Sequence, residues 1–306
     1  MAVFIYKKKR SVQSIVVEKL LLFRGTKKAY STTENTKELV RQRRAENIKP
    51  YAIEKVTLSS DIKEEMFEDM QVFTLNDRHS AKQKVIFYLH GGAWVKQPLT
   101  YHWMFLDKLA RTLDVKILVP LYPKGPNFTH KHTYPKVLNL YKHTLESVEN
   151  PDQITVMGDS AGGTIALALA QLLKKELLPQ PKDIILLSAC VDMTFSNPRI
   201  PQYEKRDPML ARAGMHVITE GWADGVDLED PLLSPINGDL SGLAKITHFI
   251  GTHESLYPDA ILFDEKLTQC RIPIDTFVYP KMNHVFVVMP IPEARHAQKE
   301  IIEILR

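Results

Sequence analysis

The sequence predicts an α/β protein whose mostly parallel sheet is covered by helices on both faces. Three observations carry that prediction. From residue 51 onward, strand-like apolar runs alternate with amphipathic helical ones. Most of the strands are near-continuous β-branched and apolar stretches, as in parallel strands buried on both sides. The departures from this rhythm fall in residues 1–50 and in the Pro-, Asp- and Gly-rich stretch 193–243.

Eight strands are expected, at 51–59, 70–76, 84–90, 116–122, 153–158, 183–189, 245–251 and 274–280. The first two alternate apolar and polar residues, as a half-exposed antiparallel pair does, and the later six are continuous. Helices are expected at 101–113, 135–148, 161–177, 258–270 and 292–306, joined to the strands by right-handed crossovers. Residues 1–50 read as an N-terminal helical cap segment and residues 51–306 as the main domain, with a cap insertion at about 193–243. Both cap pieces can fold over the carboxyl ends of the strands, where open α/β sheets bind ligands.

The bulk numbers exclude more than they identify. Forty basic and 36 acidic residues leave a net charge of +4, too small and too dispersed for a nucleic-acid surface. Cys190 and Cys270 have no CxxC spacing and read as reduced thiols of a cytoplasmic protein. No HExxH or paired histidine motif points to a metal, and no cofactor is expected. At the N-terminus five apolar residues precede Lys7, Lys8, Lys9 and Arg10, the reverse of a secretory signal. Val12, Ile15, Val16, Leu20 and Phe23 share one helical face. That face is expected to pack on its own domain rather than on an anionic membrane, which a basic amphipathic helix could also do.

The chemistry starts at Gly158-Asp159-Ser160-Ala161-Gly162, a G-x-S-x-G run with a strand before it and an apolar helix after it. A serine on so sharp a turn is strained, and small neighbours two positions away let strand and helix approach. The rival reading, a phosphate loop, lacks both the Lys-Ser/Thr ending and the G-x-G-x-x-G spacing. Upstream, His90-Gly91-Gly92-Ala93 ends the strand at 84–90.

Together these two motifs resemble the hormone-sensitive-lipase-like branch of α/β-hydrolase esterases, over about residues 50–306. The resemblance implies an α/β-hydrolase fold and a serine–acid–histidine triad in that chain order. It implies Ser160 as nucleophile and His284, in "MNHVFVV", as base. Glu254, three residues after Gly251, takes the acid's place, with Asp259 and Asp192 as alternatives. The amides of Gly91, Gly92 and Ala161 are expected to hold the oxyanion. His90 is expected to brace that loop, and Asp159 to be structural. A methyl group disfavours positive φ, so no left-handed backbone is expected at Ala93.

Trp94, Tyr122, Phe195, Tyr203, Met209, Trp222 and Phe286 are candidate pocket walls, and equally candidates for ordinary core. The resemblance implies a carboxylesterase acting on short-acyl esters, with activity rising with pH near the ~6.5 of a free histidine. An amidase, peptidase or lactonase on the same triad, or a non-catalytic binding homologue, stays open. A homodimer is possible.

Overall fold

The computed structural model describes residues 2–53 and 56–306. Among the described residues nine strands form one sheet: β1 (Ala2–Ile5), β2 (Ile62–Phe67), β3 (Met70–Leu75), β4 (Val85–Leu89), β5 (Lys116–Pro120), β6 (Ile154–Asp159), β7 (Asp183–Leu187), β8 (Lys245–His253) and β9 (Ile274–Asn283). Their order is β1-β9-β8-β7-β6-β4-β5-β3-β2. Only the β2–β3 and β3–β5 pairs are antiparallel.

The helices are α1 (Val12–Phe23), α2 (Thr33–Glu46), α3 (Thr100–Leu113), α4 (His130–Glu146), α5 (Ala161–Lys175), α6 (Ile200–Glu204), α7 (Arg212–Ala223), α8 (Tyr257–Gln269) and α9 (Pro292–Leu305). Two apolar layers sandwich the sheet. Val156, Ile184 and Leu186 pack under α4, α5 and α8, through side chains such as Tyr141, Ile165, Leu169 and Phe263. Met157, Ile185 and Leu187, one residue out of phase, pack under α3 and α9, through Trp103, Leu106, Ala297 and Ile301. Alternation along each strand therefore feeds both layers, which is why these strands read as continuous apolar runs.

The expected count of eight strands, and the strand at 51–59, are corrected here. Residues 51–53 and 56–59 are not strand, and residues 54 and 55 lie outside the described residues. The backbone around them bonds to side chains instead of to a ladder. The Tyr51 amide donates to Gln71 Oε1 at 2.7 Å, and the Ser59 and Ser60 amides donate to Asp107 Oδ1. β2 takes the place beside β3 because Glu68 and Asp69 both adopt positive φ, 46° and 61°. Such a two-residue turn fixes the hairpin register at Phe67↔Met70. β2 carries Lys63, Glu64 and Glu65 and is mostly exposed, so no apolar alternation marked it.

β1 is the second correction, since residues 1–50 were expected to be helical throughout. Ala2–Ile5 extends the sheet in parallel beyond β9, with Phe4 stacked on Phe277 at 4.7 Å and Tyr6 on Tyr279 at 5.1 Å. Beyond β1, the N-terminal segment crosses to the carboxyl side of the sheet. The 3-10 turn Thr26–Tyr30 and α2 pack on α7, so tightly that a Cβ at Gly214 would strike the Tyr30 carbonyl and Thr36 Oγ1. Lys27 Nζ donates to the Glu204 and Asp207 carbonyls, tying residues 1–50 to the 193–243 insertion.

Candidate active site

The turn between β6 and α5 is built by its glycines. A Cβ at Gly158 would meet the Gly162 carbonyl, and one at Gly162 would meet the Leu89 carbonyl. Strand and helix can thus approach only with hydrogen at these two positions. Between them Ser160 is held at φ 51°, ψ −120°, an L-residue conformation that costs of order 1–3 kcal/mol. Its amide donates to the Leu187 carbonyl at 3.0 Å, which fixes the turn on β7.

The Ser160 hydroxyl meets His284 Nε2 at 2.8 Å, and His284 Nδ1 meets Glu254 Oε2 at 2.8 Å. Glu254 is fully buried, and its other oxygen accepts from the Gly251 amide at 2.7 Å and from Ser188 Oγ at 2.9 Å. With Glu254 accepting from Nδ1–H, Nε2 is left as acceptor for the serine proton. Burial depresses the His284 pKa, but the hydrogen bond and charge of Glu254, then the charges of Asp207 and Asp159, outweigh it, so the net shift is upward. The other two candidate acids lie elsewhere in the network. Asp192 accepts from Thr194 and Ser234, a turn former. Asp259 is buried near the start of α8, and burial pushes its carboxyl up to about 7.

The glycine-rich loop departs from expectation at two points. The Gly91 amide is already committed, donating to Asp159 Oδ1 at 2.8 Å, so it is not a free oxyanion donor. Ala93, by contrast, does adopt a left-handed backbone, φ 52°, followed by Trp94 at 56°. The loop folds back through bonds from the Val95 and Lys96 amides to the Gly92 carbonyl, and Gly92 itself sits at φ 123°. Gly91, Gly92 and Ala93 line the cavity that contains Ser160 and His284. Ala161 follows the serine as the first residue of α5, where a helix amide lacks an intrahelical acceptor. Among the described residues, the nearby amides of Gly92, Ala93 and Ala161 have no protein acceptor.

Asp159 explains the loop's shape. It is buried and accepts from Tyr88 OH at 2.7 Å as well as from Gly91, while its second oxygen meets His102 Nε2 at 3.3 Å. Burial raises its pKa, but His102, Tyr88 and the Gly91 amide more than compensate, and the carboxyl stays below its ordinary range. His90 Nδ1 lies 2.6 Å from the Gly91 carbonyl and its ring stacks on Tyr122 at 4.5 Å, bracing the same loop.

Sequence reasoning missed Ser188, Asp207 and His102. Ser188 directly follows β7, at the carboxyl edge where α/β sites form, and that position was its only signal. It also accepts from the Val285 amide at 3.1 Å, so one hydroxyl joins the loops after β7, β8 and β9. Asp207, in the insertion, accepts from the Ser255 amide and hydroxyl next to Glu254.

The cavity above Ser160 encloses about 460 Å³. Of the main pocket candidates only Met209 lines it. Trp94 is buried against Trp222, Tyr122 lies under His90, Phe195 faces His216, and Phe286 packs on Tyr279. These large rings fill the layers that support the loops, while the walls come from α1 and the insertion: Val17, Leu20, Leu21, Leu210 and Met215, with Val288 and Met289. Among the described residues no group of His, Cys, Asp and Glu is placed to hold a metal ion.

A sequence profile of the family described as alpha/beta hydrolase fold matches residues 86–288. The chain belongs to the α/β-hydrolase family. It is similar to an esterase of Acinetobacter venetianus RAG-1, 29% identical over 227 residues covering 72% of this chain and 74% of that one. It is also similar to an acetyl-hydrolase of Streptomyces hygroscopicus, 26% identical over 70% of this chain and 72% of that one. A Staphylococcus aureus crystal structure assigned to an esterase superposes with a TM-score of 0.86 at 32% identity, covering 91% of this chain and 95% of that chain. In fold, this hydrolase also matches an esterase of the bacterial hormone-sensitive lipase family, TM-score 0.83 at 22% identity, over 98% and 99% of the two chains.

Proposed function

We propose that this hydrolase is a carboxylesterase that cleaves compact, short-acyl esters through an acyl-enzyme on Ser160. The observation that carries the reading is one unbroken relay, Ser160–His284–Glu254, opening into a cavity that also receives the Gly92 and Ala93 loop. His284 takes the serine proton as Ser160 Oγ bonds to the ester carbonyl carbon. The carbonyl oxygen becomes an oxyanion within reach of the Gly92, Ala93 and Ala161 amides, each such donor supporting a rate factor of about 10²–10³. The tetrahedral species collapses, the alkoxide leaves with the proton from His284, and water repeats the cycle on the acyl-enzyme.

The relatives named esterase and acetyl-hydrolase support ester substrates with small acyl groups. So does the cavity, whose roughly 460 Å³ must hold acyl and alcohol parts together behind largely aliphatic walls. In this reading residues 1–50 and the 193–243 insertion are the cap that sets substrate size. The test is a series of nitrophenyl esters of increasing acyl length, with a nitroanilide beside them, and stoichiometric labelling by a fluorophosphonate. Fastest turnover on the acetate or butyrate, and label on Ser160 alone, is the expected result. Preference for the anilide, or label on another residue, overturns the proposal.

A further inference from the structure

The N-terminal helix leaves most of its apolar side chains in solvent. The side of α1 toward the protein body is half polar, with buried Ser14 and partly buried Glu18 beside partly buried Val17 and Leu21. Ser11, at its N-cap, donates through backbone and hydroxyl to buried Glu293, Ser14 is fully buried, and Glu18 pairs with Arg10 at 2.7 Å and His253 at 3.1 Å. The apolar face read from the sequence points outward instead. Val12 is 72% exposed and Phe23 89%, and Ile15, Val16 and Leu20 are exposed as well. The expectation that this face packs on its own domain is thereby overturned. Leu22 of α1 is exposed too, as are Val3, Phe4 and Ile5 of the edge strand β1, whose side chains alternate between the two faces of the sheet.

Charge says what covers it. Residues 2–31 hold eight basic residues and one acidic, against 32 basic and 35 acidic in the remainder. Lys7, Lys8, Lys9, Lys19 and Arg24 are exposed, and none of them forms an ion pair with a described carboxylate. An exposed apolar surface rimmed by unpaired cations matches an anionic lipid surface, with side chains entering the acyl region and ammonium groups at the phosphates. A second copy of this chain fits worse, because a two-fold contact would set the same cationic rim against itself.

We propose that α1, with the basic run Lys7–Lys9 before it, docks this hydrolase peripherally on an anionic membrane. The position of α1 gives the docking a consequence. Val17, Leu20, Leu21 and Arg24 form part of the cavity wall, so docking brings the Ser160 cavity to the lipid surface. No described helix is long and apolar enough to cross a membrane, and this contact lies on the surface only.

The test uses the 306-residue chain carrying Ser160→Ala, so that binding is read without turnover and independently of the esterase reading. It is sedimented with vesicles of phosphatidylcholine alone and of equimolar phosphatidylcholine and phosphatidylglycerol. Binding to the anionic vesicles only, lost in ~0.5 M salt, is expected. Changing Lys7, Lys8 and Lys9 together to Gln should weaken partitioning about a hundredfold, at roughly a factor of five for each lysine. Phe23→Ser should weaken it at least tenfold through lost apolar burial. With Ser160 restored, both variants should keep full activity on a soluble acetate ester, which shows that they fold. No binding to anionic vesicles overturns the proposal, as does equal binding to neutral ones. Self-association of the free chain that Phe23→Ser abolishes also overturns it, in favour of a second copy.

Discussion

Glu254→Gln isolates what the buried acid does, because its surroundings dictate how the new amide must sit. Oε1 of Glu254 accepts from two donors, the Gly251 amide and Ser188 Oγ. In the variant the amide oxygen must keep that place, since turning the NH₂ group there would set donor against two donors. The NH₂ group then faces His284 Nδ1, now 2.8 Å from a donor instead of an acceptor. The imidazole can accept only by moving its proton to Nε2, which points that proton at Ser160 Oγ. In this tautomer His284 cannot take the serine proton. The expected cost is a fall in kcat of about 10⁴, equivalent to about 5.5 kcal/mol of barrier, as for the corresponding Asp→Asn change in a serine protease triad. The fold should survive, because both hydrogen bonds to Oε1 are kept. The assay is kcat and KM on nitrophenyl acetate from pH 5 to 9, with thermal unfolding as the control. A fall smaller than tenfold in a folded variant would refute the argument and make Glu254 a packing residue.

Further outcomes follow from the same geometry. Wild-type kcat/KM should rise with pH, since the base must be neutral, and its midpoint should lie above 6.5 because the charges of Glu254, Asp207 and Asp159 outweigh burial at His284. A midpoint below that value contradicts the electrostatic account. Ser160→Ala should lower kcat by roughly 10⁴–10⁶ with little change in melting temperature. Gly91→Ala drives a Cβ into the Asp159 carboxylate. By displacing the loop that carries Gly92 and Ala93 it should lower kcat about a hundredfold, with KM changed less. Asp259 binds its proton up to about 7 in the fold and only to 3.8 by its ordinary value, so it costs stability increasingly as pH rises across that window. Asp259→Asn should therefore stabilise by up to about 4 kcal/mol at pH 8 and by much less near pH 5, measured by urea unfolding. Equal gains at both pH values would show that the carboxyl does not titrate there.

Much of the site was legible because its chemistry is tied to short-range geometry. Gly158 and Gly162 announce a turn that admits no side chain, and a histidine directly after the last strand stands where the sheet delivers it. What the linear order could not carry was the destination of each hydrogen bond. Gly91 reads as an oxyanion donor until Asp159, folded back from β6, takes its amide. Ala93 reads as excluded from the left-handed region until the contacts around it hold it there. Trp94, Tyr122 and Phe286 are bulky and near the motifs, yet they support the loops and do not line the cavity, since chain proximity says nothing about which way a ring points.

By itself, then, the sequence determined the α/β layering, the strained serine and the residues that could form its relay. These depend on periodicity and on steric rules that act over a few residues. Tertiary structure decided the partners: Ser188 joining three loops, β2 as the strand beside β3, β1 at the sheet's far edge, and the outward turn of α1's apolar stripe. The physical reason is that a helix's apolar stripe shows that some surface must be covered, whereas which surface depends on competing contacts. Here Glu293 and His253 claim the polar side of α1 for the protein body. Those contacts arise between residues more than 230 positions apart, beyond any local rule.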